Sequence, residues 1–116
     1  MSAAGPDALV DRGSDEPYPQ ALPGVQRHVS QADGFTVLRL RFAVGSVLPR
    51  HEHEHEQYIH VVAGSLAVTL GGSEPGTVTL QAGDAVRLPA WLPHETRAIT
   101  DAETIEIFAP RRDDLS

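Results

Sequence analysis

Cysteine is absent from this 116-residue chain, and so is lysine, since all nine basic residues are arginine. Without cysteine there are no disulfides, no thiolate metal ligands and no cysteine nucleophile. Without lysine there is no Schiff-base chemistry. No apolar run approaches the ~18–20 residues of a membrane span. The opening MSAAGPDALVDRGSDEP has neither a cationic start nor an apolar stretch of signal-peptide type, so a soluble, cytoplasmic protein is expected. Nine basic against 16 acidic residues leave a net charge of −7, which argues against nucleic acid and anionic membrane as partners. The length suits one domain with a single core. Gly 10 and Pro 9 favour many turns over long helices. Six histidines remain, and four of them, His51, His53, His55 and His60, fall within ten residues.

Residues 1–23 are rich in Ala, Gly, Pro, Asp and Ser and read as a mostly mobile N-terminal arm, settling near Tyr18 and Leu22. From Gly24 to the end at residue 116 the pattern is that of one all-β domain. In Phe35–Val44, Leu38, Leu40, Phe42 and Val44 share one face of a two-residue period, with Arg39 and Arg41 on the other. Tyr58–Val62 is a β-branched run closed by Ala63-Gly64. Ser65–Leu70 alternates with Leu66, Val68 and Leu70 inward and meets Gly71-Gly72. Thr77–Leu80, Val86–Leu88, His94–Ile99 and Thr104–Phe108 follow at turn spacings of a sandwich or small barrel.

The run Arg50-His-Glu-His-Glu-His-Glu-Gln57 is the loud feature. It reads as a solvated charged loop, as a tract that picks up metal without function, as an engineered tag, or as a metal site. Its place mid-chain between two strands weakens the tag reading. In a strand, 51, 53, 55 and 57 share a face, but at ~3.3 Å per residue 51 and 57 lie ~20 Å apart. With metal–nitrogen bonds of ~2.1 Å, two neighbouring positions can share a metal. A third from this run needs a bend or a turn, and another must come from elsewhere. Pro93-His94, after Pro89-Ala-Trp-Leu, presents such a residue.

The stretch Gly45-Ser-Val-Leu-Pro-Arg-His51-Glu-His53-Glu-His-Glu-Gln57-Tyr-Ile-His-Val-Val-Ala-Gly64 resembles the first cupin motif, and Gly83-Asp-Ala-Val-Arg-Leu-Pro89-Ala-Trp-Leu-Pro-His94 resembles the second. Both spacings agree. Gln57 stands where the first motif usually has Glu. Trp91 stands where the second usually has Gly, and Ala98 where it often has Asn. The His-x-His-x-His-x-Gln form is similar to that of KdgF-like proteins, which act on unsaturated uronates, and to those of cupin polyketide cyclases and cupin hydroxynitrile lyases. Gly24-Val-Gln-Arg27 and Ile105-Glu106-Ile-Phe108-Ala-Pro110-Arg-Arg112-Asp113 resemble the start and end of those domains. The resemblance covers residues 24–115. It implies a cupin jelly-roll barrel, with His51, His53, Gln57 and His94 as ligands of one divalent metal ion. It also implies a homodimer. Glu106 takes the place of a catalytic Asp, and Phe108 and Arg112 match residues that line or support the pocket.

Three imidazoles and one amide are neutral donors, so the metal would keep its full charge and act as a strong Lewis acid. Such donors accept Zn, Ni, Fe, Co or Mn. The leading expectation is a metal-dependent, non-redox enzyme, an isomerase, cyclase, ring-opening enzyme or lyase. Its substrate would be a small carbonyl- or hydroxyl-bearing metabolite, such as an unsaturated sugar acid or a polyketide. An iron-dependent dioxygenase and a non-catalytic small-molecule binder are the alternatives. Several arginines facing the cavity would favour the sugar acid, and a wider apolar cavity the polyketide.

Strand parity by itself puts Ile105 and Ile107 in the core and Glu106 in solvent, and the resemblance puts Glu106 inside. His55 is expected near the pocket mouth, with a surface role as the alternative. Trp91 is read either as walling the entrance or as packing under its loop. His60 is expected at the surface or an interface. Arg39 and Arg41 are expected on the outer face of their strand. Arg112 either binds a substrate carboxylate or pairs with Asp113 or Asp114.

Overall fold

The structure is a computed structural model that describes residues 2–3, 8–11 and 17–115. Of the expected arm over 1–23, residues 1, 4–7 and 12–16 lie outside the described residues. The strands are β1 (Ser2–Ala3), β2 (Leu9–Val10), β3 (Gln20–Leu22), β4 (Val25–Gln31), β5 (Thr36–Phe42), β6 (Val47–His51), β7 (Glu56–Ala63), β8 (Ser65–Leu70), β9 (Gly76–Gln81), β10 (Ala85–Leu88), β11 (His94–Ala98) and β12 (Ala102–Ala109). There is no helix among the described residues, so none is long and apolar enough to cross a membrane.

Two antiparallel sheets face each other as a jelly-roll barrel. One has the order β10-β7-β12-β5-β4-β3 and the other β6-β11-β8-β9, while β1 pairs only with β2. Part of the expected arm is thus built into the larger sheet, because Gln20 and Leu22 pair with Gln26 and Val25. Tyr18 is buried beside them. It lies 4.0 Å beneath the Arg41 guanidinium carbon, and His28 stacks on it at 5.4 Å.

One core lies between the sheets. Val25, Leu38, Leu40, Phe42, Val61 and Phe108 meet Leu66, Val68, Leu80 and Ala98. Each such buried aliphatic or aromatic side chain contributes roughly 1.5–3 kcal/mol. The period-two expectation holds along β5, where Thr36, Leu38, Leu40 and Phe42 are buried. It ends at Phe42. Val44, expected inward, is exposed because the chain leaves the strand into a turn through Gly45 (φ 80°). Arg39 and Arg41 keep to the outer face as expected, partly covered.

Two details place the site. First, Gly64 alone joins β7 to β8 at φ 76°, where an added Cβ would lie 2.0 Å from the Asp101 carbonyl oxygen, so only glycine fits. Second, β6 pairs with β11 so that His51 stands opposite His94, with a register shift on the β6 side around Pro49 and Arg50. Pro49 has no N–H to donate, which suits it to that irregularity.

Candidate metal centre

The histidine run does not form one strand. β6 ends at His51 in the smaller sheet and β7 begins at Glu56 in the larger. Residues 52–55 carry the chain between sheets, which is the bend a third ligand requires. His51, His53 and His94 converge there, with one ring nitrogen from each lying within 4.8 Å of the others. The His51 and His94 rings are 4.3 Å apart and those of His53 and His94 5.3 Å.

Their tautomers are set by the backbone. A carbonyl oxygen only accepts, so Nδ1–H of His51 donates to Pro49 O, that of His53 to His55 O and that of His94 to Leu92 O, at 2.8, 2.9 and 2.8 Å. The three Nε2 lone pairs are left for a shared ligand. Nε2 of His94 is buried with no hydrogen-bond partner among the described residues. Burial lowers the His94 pKa to about 4 and also lowers that of His53. Both rings are therefore neutral near pH 7.

Gln57, buried on the inner face of β7, extends the centre. Its Nε2 donates to Glu106 Oε1 at 2.7 Å, which points its Oε1 at His53 Nε2, 3.0 Å away. With the His53 proton on Nδ1, two lone pairs face each other across that gap. A cation held between them resolves the conflict. An orphaned imidazole nitrogen, three aligned lone pairs and an amide oxygen turned the same way all fit a divalent metal.

Glu106 is buried, and this corrects the parity expectation that put it in solvent. Register decides the matter. β12 lies between β5 and β7 with Glu106 opposite Leu38 and Ile59, both buried, so it shares their inward face. Ile107 is exposed and Ile105 half-buried on the outer face. Burial raises the Glu106 pKa, opposed by hydrogen bonds from Thr104 and Gln57 and by the positive charge of Arg112. Thr104 Oγ1 donates to Glu106 Oε2 at 2.7 Å.

A cavity of about 380 Å³ opens beside the centre, bordered by His51, Gln57, His94, Glu106, Phe108, Arg27 and Arg112; Arg50 also edges it, with its guanidinium turned against Gly71. Phe108 packs its ring 5.6 Å from that of His53. The Arg112 guanidinium carbon lies 4.9 Å from the Phe108 ring centre. Arg112 lines the cavity, and its Nε and Nη2 donate to Asp114, one of its two expected carboxylate partners. Those bonds hold the Asp114 carboxyl below its ordinary range.

His55 and Trp91, each expected either near the pocket or in a surface or packing role, do not border this cavity. The crossing at 52–55 turns His55 out of the ligand row, and its ring packs 5.6 Å from that of His53. Trp91 is 61% exposed, and its backbone N–H donates to His53 O at 2.8 Å. Its φ of 64° accounts for the glycine usual at that motif position. Trp91→Gly is therefore expected to fold with stability near wild type. Trp91→Ile, β-branched in the same conformation, should lose about 1–3 kcal/mol in chemical denaturation. His60 is half-buried on the outer face of β7, the face opposite Gln57. Sequence reasoning assigned no role to Arg27 or Arg50. The available signal for Arg27 was its alternation with Val25 and Val29, which share its face.

Known proteins share this fold. A family model described as the cupin domain matches residues 25–109. The structure of KdgF from Halomonas sp. is similar, at 34% identity and a TM-score of 0.75, over 82% of this chain and 86% of that one. An RmlC-like cupin from Shewanella frigidimarina NCIMB 400 superposes with a TM-score of 0.80 at 24% identity, over 94% and 96% of the two chains. A mutant salicylate 1,2-dioxygenase from Pseudoaminobacter salicylatoxidans shares the fold at 20% identity and a TM-score of 0.69, over 77% of this chain and 28% of that one. No curated protein matches the chain. A jelly-roll barrel with three histidines converging from both motifs, matched along most of its length, belongs to the cupin family, here as a small single-domain member.

Proposed function

We propose that this cupin is a metal-dependent, non-redox enzyme acting on a small acidic metabolite that bears a carbonyl or hydroxyl, such as an unsaturated sugar acid. The observation that carries the reading is the buried Glu106 tied to Gln57 in a cavity that Arg27 and Arg112 also line. His51, His53 and His94, with the Gln57 amide oxygen, hold one divalent ion. That ion, when bound, supplies Lewis-acid polarisation of a substrate oxygen. Arg27 and Arg112 attract and orient a carboxylate. Glu106 moves the proton. Its raised pKa keeps the carboxyl closer to working pH than an ordinary Glu, as a group that both gives and takes a proton requires. Leu22, Leu38, Leu40 and Leu48 line the same cavity and limit water around the reacting atoms. Two arginines, Arg27 and Arg112, in a cavity of this size favour a sugar acid over a polyketide, and the resemblance to KdgF-like uronate proteins points the same way.

The test is anaerobic incubation of zinc-loaded protein with a 4,5-unsaturated uronate, followed by proton NMR. Loss of the alkene proton signal is expected. If that signal persists with every divalent metal, while iron-loaded protein consumes oxygen with an aromatic acid, the dioxygenase reading replaces this one.

A further inference from the structure

Beyond β12 the chain turns back along the cavity, and both Arg112 and Leu115 form part of its lining. This turn is pinned by two side chains that neither cupin motif contains. Gln31 Nε2 donates to the carbonyl oxygens of Arg112, at 2.8 Å, and of Leu115, at 2.9 Å. The Thr36 hydroxyl accepts the Arg112 backbone N–H at 2.9 Å and donates to Gln31 Oε1. Leu115 N–H closes the turn onto Arg112 O at 3.3 Å.

The placement follows from register. Gln31 and Thr36 are cross-strand partners at the end of the β4–β5 pair, and Thr36 stands opposite Phe108 on β12. Thr36 is completely buried, so its hydroxyl has no water to bond instead. Arg112 is therefore held through both its N–H and its C=O, while Asp114 accepts from its Nε and Nη2, and the guanidinium so fixed lies over Phe108 at the cavity. A hydroxyl that donates once and accepts once at this point is a specific requirement, because a valine of the same shape supplies neither bond.

We propose that Thr36 and Gln31 are positioning residues, holding the C-terminal turn against the cavity so that Arg112 meets the carboxylate of an acidic substrate. This rests on the acidic-substrate reading above and adds to it the origin of the charge selectivity. The two residues act through Arg112 and touch no reacting atom.

The test uses zinc-loaded full-length protein titrated with glucuronate and with glucose, its neutral counterpart, by calorimetry. Wild type is expected to favour glucuronate. Thr36→Val should lose about tenfold of that preference, the equivalent of one charge-assisted hydrogen bond. Zinc content and glucose affinity should stay unchanged. Thr36→Ser keeps the hydroxyl and should keep the preference, and Gln31→Met should behave as Thr36→Val. Hydrogen exchange provides a second readout, with the amides of residues 112–115 exchanging faster in Thr36→Val while those of β7 and β12 do not change. A glucuronate preference that persists in both Thr36→Val and Gln31→Met overturns the inference and leaves the acidic-substrate reading intact. Equal affinity of wild type for the two sugars overturns that reading and the selectivity claim with it.

Discussion

Wild-type protein loaded with zinc is expected to keep about one ion per chain through dialysis, and His94→Ala to keep less than about a tenth of that. The loss should be large because, on the proposed reading, His94 is the ligand that joins the two motifs. His51 and His53 sit at and just past the end of β6, whereas His94 opens β11 and reaches the centre from the second motif. Its ring is already prepared, with Nδ1–H held by Leu92 O and a buried Nε2 that nothing else satisfies among the described residues. Loss of a mere hydrogen-bond partner of a ligand commonly costs 10–100-fold in metal affinity, so loss of the ligand itself should exceed that. His53→Ala should act likewise. His55→Ala is the control. It leaves the run almost as rich in histidine but removes a ring outside the converging set, so zinc content should hold. Element analysis of protein purified without an affinity tag reads all three. Unchanged zinc in both His53→Ala and His94→Ala would end the metal reading.

Glu106→Gln is the second large effect, and it should move activity and stability in opposite directions. Turnover should fall by ~10²–10⁴, the usual contribution of a positioned acid–base group, because an amide at this place neither gives nor takes the proton. Metal-free protein should respond differently. Burial raises the folded-state pKa of Glu106, so the unfolded chain releases that proton near the ordinary value of 4.5 while the native state holds it to higher pH. In that window the native state binds more protons, and stability falls as pH climbs through it. In the glutamine variant this contribution is absent, so its stability should decline less with rising pH. The shape of the site survives, since an amide oxygen still accepts from Gln57 Nε2. Denaturant unfolding with a chelator present, repeated from pH 4 to 8, measures the difference in slope. Parallel slopes would contradict a raised pKa, and unchanged turnover would remove Glu106 from the chemistry.

Much of the fold is legible in the sequence. The alternation of Leu38, Leu40 and Phe42 defined β5 and its buried face, and Gly64 marked the turn after β7. The resemblance to the two cupin motifs singled out the three histidines that converge. β4 was harder to see. Arg27 and Gln31 share the face of Val25 and Val29, so its apolar alternation is diluted by polar residues that serve the cavity and the C-terminal turn. Trp91 illustrates the reverse case, a departure from the motif whose cost appears only in its positive φ.

The sequence by itself determined the chemistry at hand, imidazole, amide and carboxylate with no thiol or amine, together with an all-β chain and the candidate ligands. Tertiary structure decided which way those groups face. A period of two divides a strand into two faces without saying which is inside. On β12 the bulkier apolar pair, Ile105 and Ile107, lost the interior to Thr104, Glu106 and Phe108, because pairing with Leu38 and Ile59 set the register. Likewise, seven consecutive residues cannot bring four alternate side chains to one ion along a strand that advances ~3.3 Å per residue. Only the crossing from one sheet to the other at residues 52–55 folds that length back on itself, gathering His51 and His53 with His94 and leaving His55 outside.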